Sequence, residues 1–226
     1  MAAGASDRAS SSRRWTRIAS TALITAGVVV LLDVAVTLAW AEPVSALRAG
    51  LAQHAAAEEL EGLDSKFAVP RDRFDRQRLP ALAARLQRKS GAGDAIGRIE
   101  IPSIDTDKVV VEGTDTDTLR EGPGRYPETV LPGEHGTVGI AGHRTTYGAP
   151  FRRIDEIEHG DEIVLDMPYA RFTYRFERSR IVEPSQTGVV RQVAHENRVV
   201  LTACHPLYSA AQRYVVFARL TAIRPP

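Results

Sequence analysis

The chain has 226 residues, a formal net charge of +1, 43% hydrophobic residues and 25% charged residues. These globular proportions exclude wholesale disorder and collagen-like or low-complexity architectures, and the near-neutral balance leaves no electrostatic footprint for nucleic acid. A single cysteine, Cys204, excludes an intrachain disulfide framework and a multi-cysteine zinc site.

The N-terminus reads as a membrane anchor. Residues 1–17 are polar and carry Arg8, Arg13, Arg14 and Arg17 against one acid, Asp7. From Ile18 to Trp40 the chain is apolar for about 23 residues, roughly 34 Å as a helix and enough to cross a bilayer core. Trp15 and Trp40 bracket this span, as interfacial aromatics do. Asp33 interrupts it and either is offset by the surrounding Val and Leu run or pairs with another membrane helix. A cleaved signal peptide is the alternative, since Ala39-Trp40-Ala41 resembles an A-x-A site, although the span exceeds the usual apolar region of about 7–15 residues. Under the positive-inside rule the four arginines stay in the cytoplasm and the chain after Glu42 lies outside. The expectation is a single-pass protein of the cell membrane, in contact with lipid.

Residues 41–93 read as an extracellular stem with one or two exposed helices. Residues 43–64 are rich in Ala, Glu and Leu; Pro70 and Pro80 break the pattern; residues 81–89 form a short amphipathic stretch that stops at Ser90-Gly91-Ala92-Gly93. From Asp94 onward, short Val- and Ile-rich runs alternate with Gly, Pro and Asp turns, which predicts an all-β domain. The expected strands are 96–101, 109–112, 137–142, 162–167, 171–182, 198–203 and 214–220, with helical turns at 115–119 and 151–157. Their irregular spacing favours a barrel over a meander.

Few residues in this domain can do chemistry. Cys204 ends the run Arg198–Ala203, and Pro206 stops the strand because it cannot donate to a ladder. Cys204 is either a packed small hydrophobe or a nucleophile, and a nucleophilic thiol needs an imidazole or a positive environment. His205 is adjacent but, by strand alternation, faces the other way. His54 lies in the stem, His135 and His159 in turns, and His195 in a polar loop. His143 follows the strand at 137–142 directly and also sits at a strand end. Arg213 opens the strand after the turn at 205–212, which should return it close to Cys204. A guanidinium supplies fixed donors for an oxyanion, although a surface arginine is the plain alternative.

Residues 136–144 (GTVGIAGHR), residues 201–206 (LTACHP) and Arg213 before an apolar strand together resemble the three signatures of sortases, over roughly residues 94–226. The GHRTTYG and CHP segments look most like the class E type of high-GC Gram-positive bacteria. The resemblance implies an eight-stranded β-barrel and a catalytic triad of His143, Cys204 and Arg213. It also implies a cysteine transpeptidase acting on secreted proteins with a C-terminal LPxTG- or LAxTG-like signal. The acceptor would be the amine of a peptidoglycan precursor or a pilin lysine. Tyr126, in GPGRYP, aligns with a tyrosine linked to signal choice in class E enzymes. Ala203 stands where sortases often carry Thr, which makes it a candidate substrate-contact position. No metal or organic cofactor is implied, and no cluster of acids calls for calcium. Two alternatives stay open: an L,D-transpeptidase, whose cysteine sits in a Ser-His-Gly-Cys context unlike residues 201–204, and a non-catalytic tethered β-domain with Cys204 as core filler.

Overall fold

The structure is a computed structural model that describes residues 6–39, 43–67, 69–193 and 196–226. Trp40, Ala41, Glu42 and His195 lie outside the described residues. The chain divides into two compact units, residues 1–43 and residues 44–226. In the first, helix α1 (Ser6–Ala39) contains the segment Trp15–Val36, 22 residues of mean hydropathy 2.1 with no buried part. By length and composition it can cross a membrane.

In the second unit the described residues form eight strands: β1 (Ala95–Ile101), β2 (Thr106–Glu112), β3 (Gly124–Arg125), β4 (Gly136–Ala141), β5 (Glu162–Met167), β6 (Ala170–Val182), β7 (Asn197–His205) and β8 (Gln212–Arg224). They close into a barrel in the order β1-β2-β3-β4-β7-β8-β6-β5. The β2/β3 and β4/β7 pairs are parallel and the others antiparallel. Strands β4 and β7 sit in the middle of the order and carry nearly continuous burial, as parallel strands covered on both faces do. The interior is filled by alternate side chains, among them Ile99, Ile140, Phe172, Leu201 and Val216. The expected all-β barrel is therefore observed. The sequence reading missed β3, whose two residues are too few to show a period.

The expected exposed stem differs from what the structure shows. Helix α2 (Pro43–Phe67) and helix α3 (Leu79–Gln87) belong to the same compact unit as the barrel. Leu79, Ala83 and Leu86 recur on one face of α3 and are buried in the barrel's own core with Phe67. Ala56 and Leu60 of α2 pack on Ala95, Val109 and Val111. Gln53 adds a two-way bridge to β2: its side chain accepts from Val109 N (2.8 Å) and donates to Val109 O (3.0 Å). An alanine-rich helix can lie close to a strand through small side chains and one amide, and so carries no broad apolar stripe. If α3 is core rather than stem, Leu86→Ala should destabilise residues 44–226 by about 2–5 kcal/mol. Denaturant unfolding measures this, and an unchanged midpoint would return α3 to the surface.

Helix α4 (Thr116–Glu121) is capped by Asp115, whose side chain accepts from the backbone N–H groups of Asp117 and Thr118 at 3.1 Å each. The Thr118 hydroxyl, which also donates to the carboxylate, and then these backbone bonds hold the Asp115 carboxyl below its usual range.

Candidate functional site

Alternation along β7 sorts its side chains into two sets. Val199, Leu201 and Ala203 lie in the barrel interior. Val200 lies in a separate apolar layer with Val182, Val190, Val215 and Phe217, against which Tyr126 and Val189 pack. Thr202 and Cys204 share the parity of Val200, so Cys204 belongs to this outer face and not to the core. Cys204 is half-buried and free.

Antiparallel pairing with β8 makes Arg213 the register partner of Cys204. Directly opposed residues share a face, so both side chains stand on the outer side of the sheet. The Arg213 Nη1 donates to the carbonyls of Ala210 and Gln212, each at 2.9 Å, which fixes the guanidinium at the mouth of the turn.

On the other side of β7, the parallel register with β4 ends at Ala141 opposite Thr202, and Gly142 N donates to Thr202 O at 3.0 Å. His143 lies two residues past Ala141, as Cys204 lies two residues past Thr202. Histidine, cysteine and arginine thus stand at one level at the ends of three adjacent strands. Gly142 allows this course: a Cβ there would lie 2.5 Å from the Phe151 ring. His143 O accepts from Phe151 N at 3.0 Å, and the His143 ring lies 5.0 Å from that of Tyr147. Arg120 of α4 stands over the outer ring of this stack, 5.8 Å from the Tyr147 centroid. Burial pushes the His143 pKa down, and the charge of Arg120 adds to the effect. The His143 Nε2 is buried with no hydrogen-bond partner among the described residues. An unpaired buried ring nitrogen can take and return a proton.

Tyr126 crosses the same face. Its hydroxyl is 2.8 Å from Thr202 Oγ1. Burial pushes its pKa up, against the Thr202 hydrogen bond and the positive charge of Arg213. A buried ion pair fixes the segment: Arg125 meets both Glu112 carboxylate oxygens, at 2.7 and 2.6 Å, and also donates to the carbonyls of Tyr126 and Thr129. Gly139 leaves room for the ring, since a Cβ there would lie 2.9 Å from Tyr126 Cδ2.

Four of the five expected site residues, His143, Cys204, Arg213 and Tyr126, are brought together. Ala203 is not: strand alternation turns it into the barrel core, 3% exposed, where its methyl cannot reach a ligand on the Cys204 face. The residue next to the thiol on its own face is Thr202, which counting by twos from Cys204 would have found. Arg120 had no such signal, because α4 lies far from His143 in sequence. His205 faces away as expected: its Nδ1 is 3.1 Å from Arg144 Nη1 and its ring packs 5.8 Å from Tyr214. Arg144 also pairs with Asp155. Among the described residues no group of three or more His, Cys, Asp or Glu side chains is placed to hold a metal ion.

The family model described as "Sortase domain" matches residues 99–221. Sortase SrtE2 of Streptomyces coelicolor is 31% identical over 230 residues, covering 92% of this chain and 85% of that protein. Sortase D of Bacillus subtilis is 35% identical over 134 residues, 58% of this chain; the chain covers 66% of its length, just under two thirds. Among solved structures, a Clostridium perfringens Sortase D5 transpeptidase superposes with a TM-score of 0.61 at 28% identity, covering 74% of this chain and 98% of that one. The chain belongs to the sortase family, and its relatives include class E members, as the GHRTTYG and CHP segments led one to expect.

Proposed function

We propose that this chain is a membrane-anchored cysteine transpeptidase that cleaves a C-terminal LPxTG- or LAxTG-like sorting signal between Thr and Gly. It then joins the Thr to an amine of a cell-wall precursor or a pilin lysine. The observation that carries the reading is the pairing of Cys204 with Arg213 beside the strand end that bears His143.

Neutral His143 takes the proton from the Cys204 Sγ–H, and the thiolate attacks the Thr carbonyl carbon. Arg213 donates to the resulting oxyanion. The intermediate collapses, the Thr–Gly C–N bond breaks, and the imidazolium returns its proton to the leaving Gly amine. A thioester remains on Cys204. The incoming amine attacks that carbonyl and yields its proton to His143. The C–S bond then breaks and the thiol is restored, so protons and electron pairs balance with no cofactor.

Arg8, Arg13, Arg14 and Arg17 before the apolar helix support an N-inside orientation with residues 44–226 outside. Intact protoplasts carrying the full chain test activity and orientation together. Given a membrane-impermeant signal peptide and a small amine, they should release the Gly-headed fragment and form the Thr–amine product. Conversion only after lysis would reverse the orientation, and no conversion in either state would remove the activity.

Tyr126 is proposed to contribute to signal choice, because it lines the Cys204 face without belonging to the proton path. One pocket contact is worth about 1–3 kcal/mol of discrimination, or roughly 10–200-fold. Tyr126→Ala should change the LAxTG to LPxTG ratio of kcat/KM more than it changes kcat. An unchanged ratio would take Tyr126 out of the site.

A further inference from the structure

The outer face that carries Cys204 does not end at the thiol. Running back along the sheet, the same face carries Thr202 and Val200 of β7 and Val215 and Phe217 of β8; Phe217 and Val182, the register partner of Arg213 on β6, also line a cavity of about 400 Å³. The buried Phe217 and Val182 line that cavity together with Val189 and three arginines, Arg178, Arg180 and Arg198. Arg178 and Arg180 are exposed, and no acid pairs with either among the described residues. The neighbouring acids are engaged elsewhere. Glu177 pairs with Arg219 at 2.7 Å, Glu196 with Arg198 at 3.4 Å, and Glu183 accepts from Gln212 at 3.3 Å. Arg198 is held in place, donating to Thr137 Oγ1 at 2.9 Å and to Arg191 O at 3.2 Å. The Arg178 guanidinium carbon stands over the Phe217 ring, 4.3 Å from its centroid. The cavity therefore combines an apolar lining with two guanidinium groups free of acid partners and a third that is fixed.

We propose that this cavity is a subsite for carboxylate side chains in the segment that precedes the sorting signal. The inference rests on the transpeptidase reading and adds a charge preference to it. Register fixes the spacing. Arg178 is level with Phe217 and so with Val200, four residues from Cys204; Arg180 is level with Val215 and so with Thr202. That is about 7–13 Å along the strands and about 10 Å across two strand spacings, which an extended peptide covers in roughly four to six residues. Counted back from the acylated Thr, those positions fall just before the Leu of LPxTG. The acyl half of the substrate stays on the enzyme as the thioester and lies along the apolar face. The acceptor amine must reach the thioester carbon itself and cannot come along an occupied groove. The anionic group that reaches the arginines is thus part of the acyl chain.

The test uses the full chain in detergent and two peptides with the same LPxTG core and an uncharged x. One carries Glu and the other Gln at four to six residues before the Thr. In the Cys204→Ala protein, fluorescence anisotropy should give the Glu peptide about five- to twentyfold tighter binding at low salt, shrinking as salt rises. The Arg178→Gln/Arg180→Gln pair added to Cys204→Ala should erase that advantage and leave the Gln peptide unchanged. Equal binding of the two peptides, or an advantage that survives loss of both arginines, overturns the subsite. So does a rise in KM for the acceptor alone in the Arg178→Gln/Arg180→Gln enzyme, which would assign the cavity to the acceptor. Acylation of the unmutated enzyme by the Gln peptide separates the two claims: acylation without a Glu preference rejects the subsite and keeps the transpeptidase reading. A Glu preference in binding with no acylation by either peptide rejects only the transpeptidase reading.

Discussion

Arg213→Ala is expected to lower kcat by about 10²–10³-fold while residues 44–226 stay folded, because one oxyanion donor is worth that much. The expectation follows from position. Arg213 is the register partner of Cys204, and two backbone carbonyls at 2.9 Å hold its Nη1. The guanidinium is thus oriented before substrate arrives and pays little to become so. Arg213→Lys should recover little, since a flexible ammonium lacks the planar fork that both holds the turn and faces the oxyanion. A Lys variant with near-normal kcat would show that charge alone suffices at this position.

His143→Ala is expected to cost roughly 10²–10⁴-fold in kcat/KM, the usual worth of a general acid–base group. His205→Ala is the matched control. It removes a histidine one residue from the nucleophile, but one whose ring packs near Tyr214 and Arg144 on the opposite face. It should keep most of its activity; if His205→Ala were the inactive variant, the face assignment would be wrong. The pH profile adds a second reading. Only neutral His143 can accept the thiol proton, so activity falls as pH drops through the His143 pKa. Burial, with help from Arg120, places that pKa below the ordinary 6.5, and the acid limb of kcat/KM should lie below 6.5. Arg120→Gln removes the smaller cause and leaves burial, so the limb should move upward without passing 6.5. A limb that does not move would mean that another group sets it.

What could be read from the chain follows from how local each signal is. Strand β5 is a short Ile-Val-Leu run bounded by turns, β6 alternates through Phe172, Tyr174 and Phe176, and both agree with the expected bounds to within a residue at each end. The CHP and GHR segments lie at strand ends, where alternation and the stopping effect of Pro206 mark them without knowledge of the partner strand. Arg213 was reachable because only a turn separates β7 from β8. Ala203 departs from the expectation because family context does not carry parity: residues two apart on a strand share a face, and adjacent ones do not. The α2 and α3 contacts were not legible, since Leu86 and Phe67 complete a core made by strands distant in sequence. Gln53 shows the same limit; an amide in an alanine-rich helix gives no sign that it will serve the edge of β2.

The most direct test of the central claim is the intact mass of the full chain after incubation with a signal peptide and no added amine. A mass gain equal to the peptide up to and including its Thr, less one water, is the expected result. The modification should map to Cys204 as a hydroxylamine-sensitive thioester, and Cys204→Ala should acquire none. An adduct on any other residue, or peptide cleavage at Thr–Gly by the Cys204→Ala protein, would contradict it.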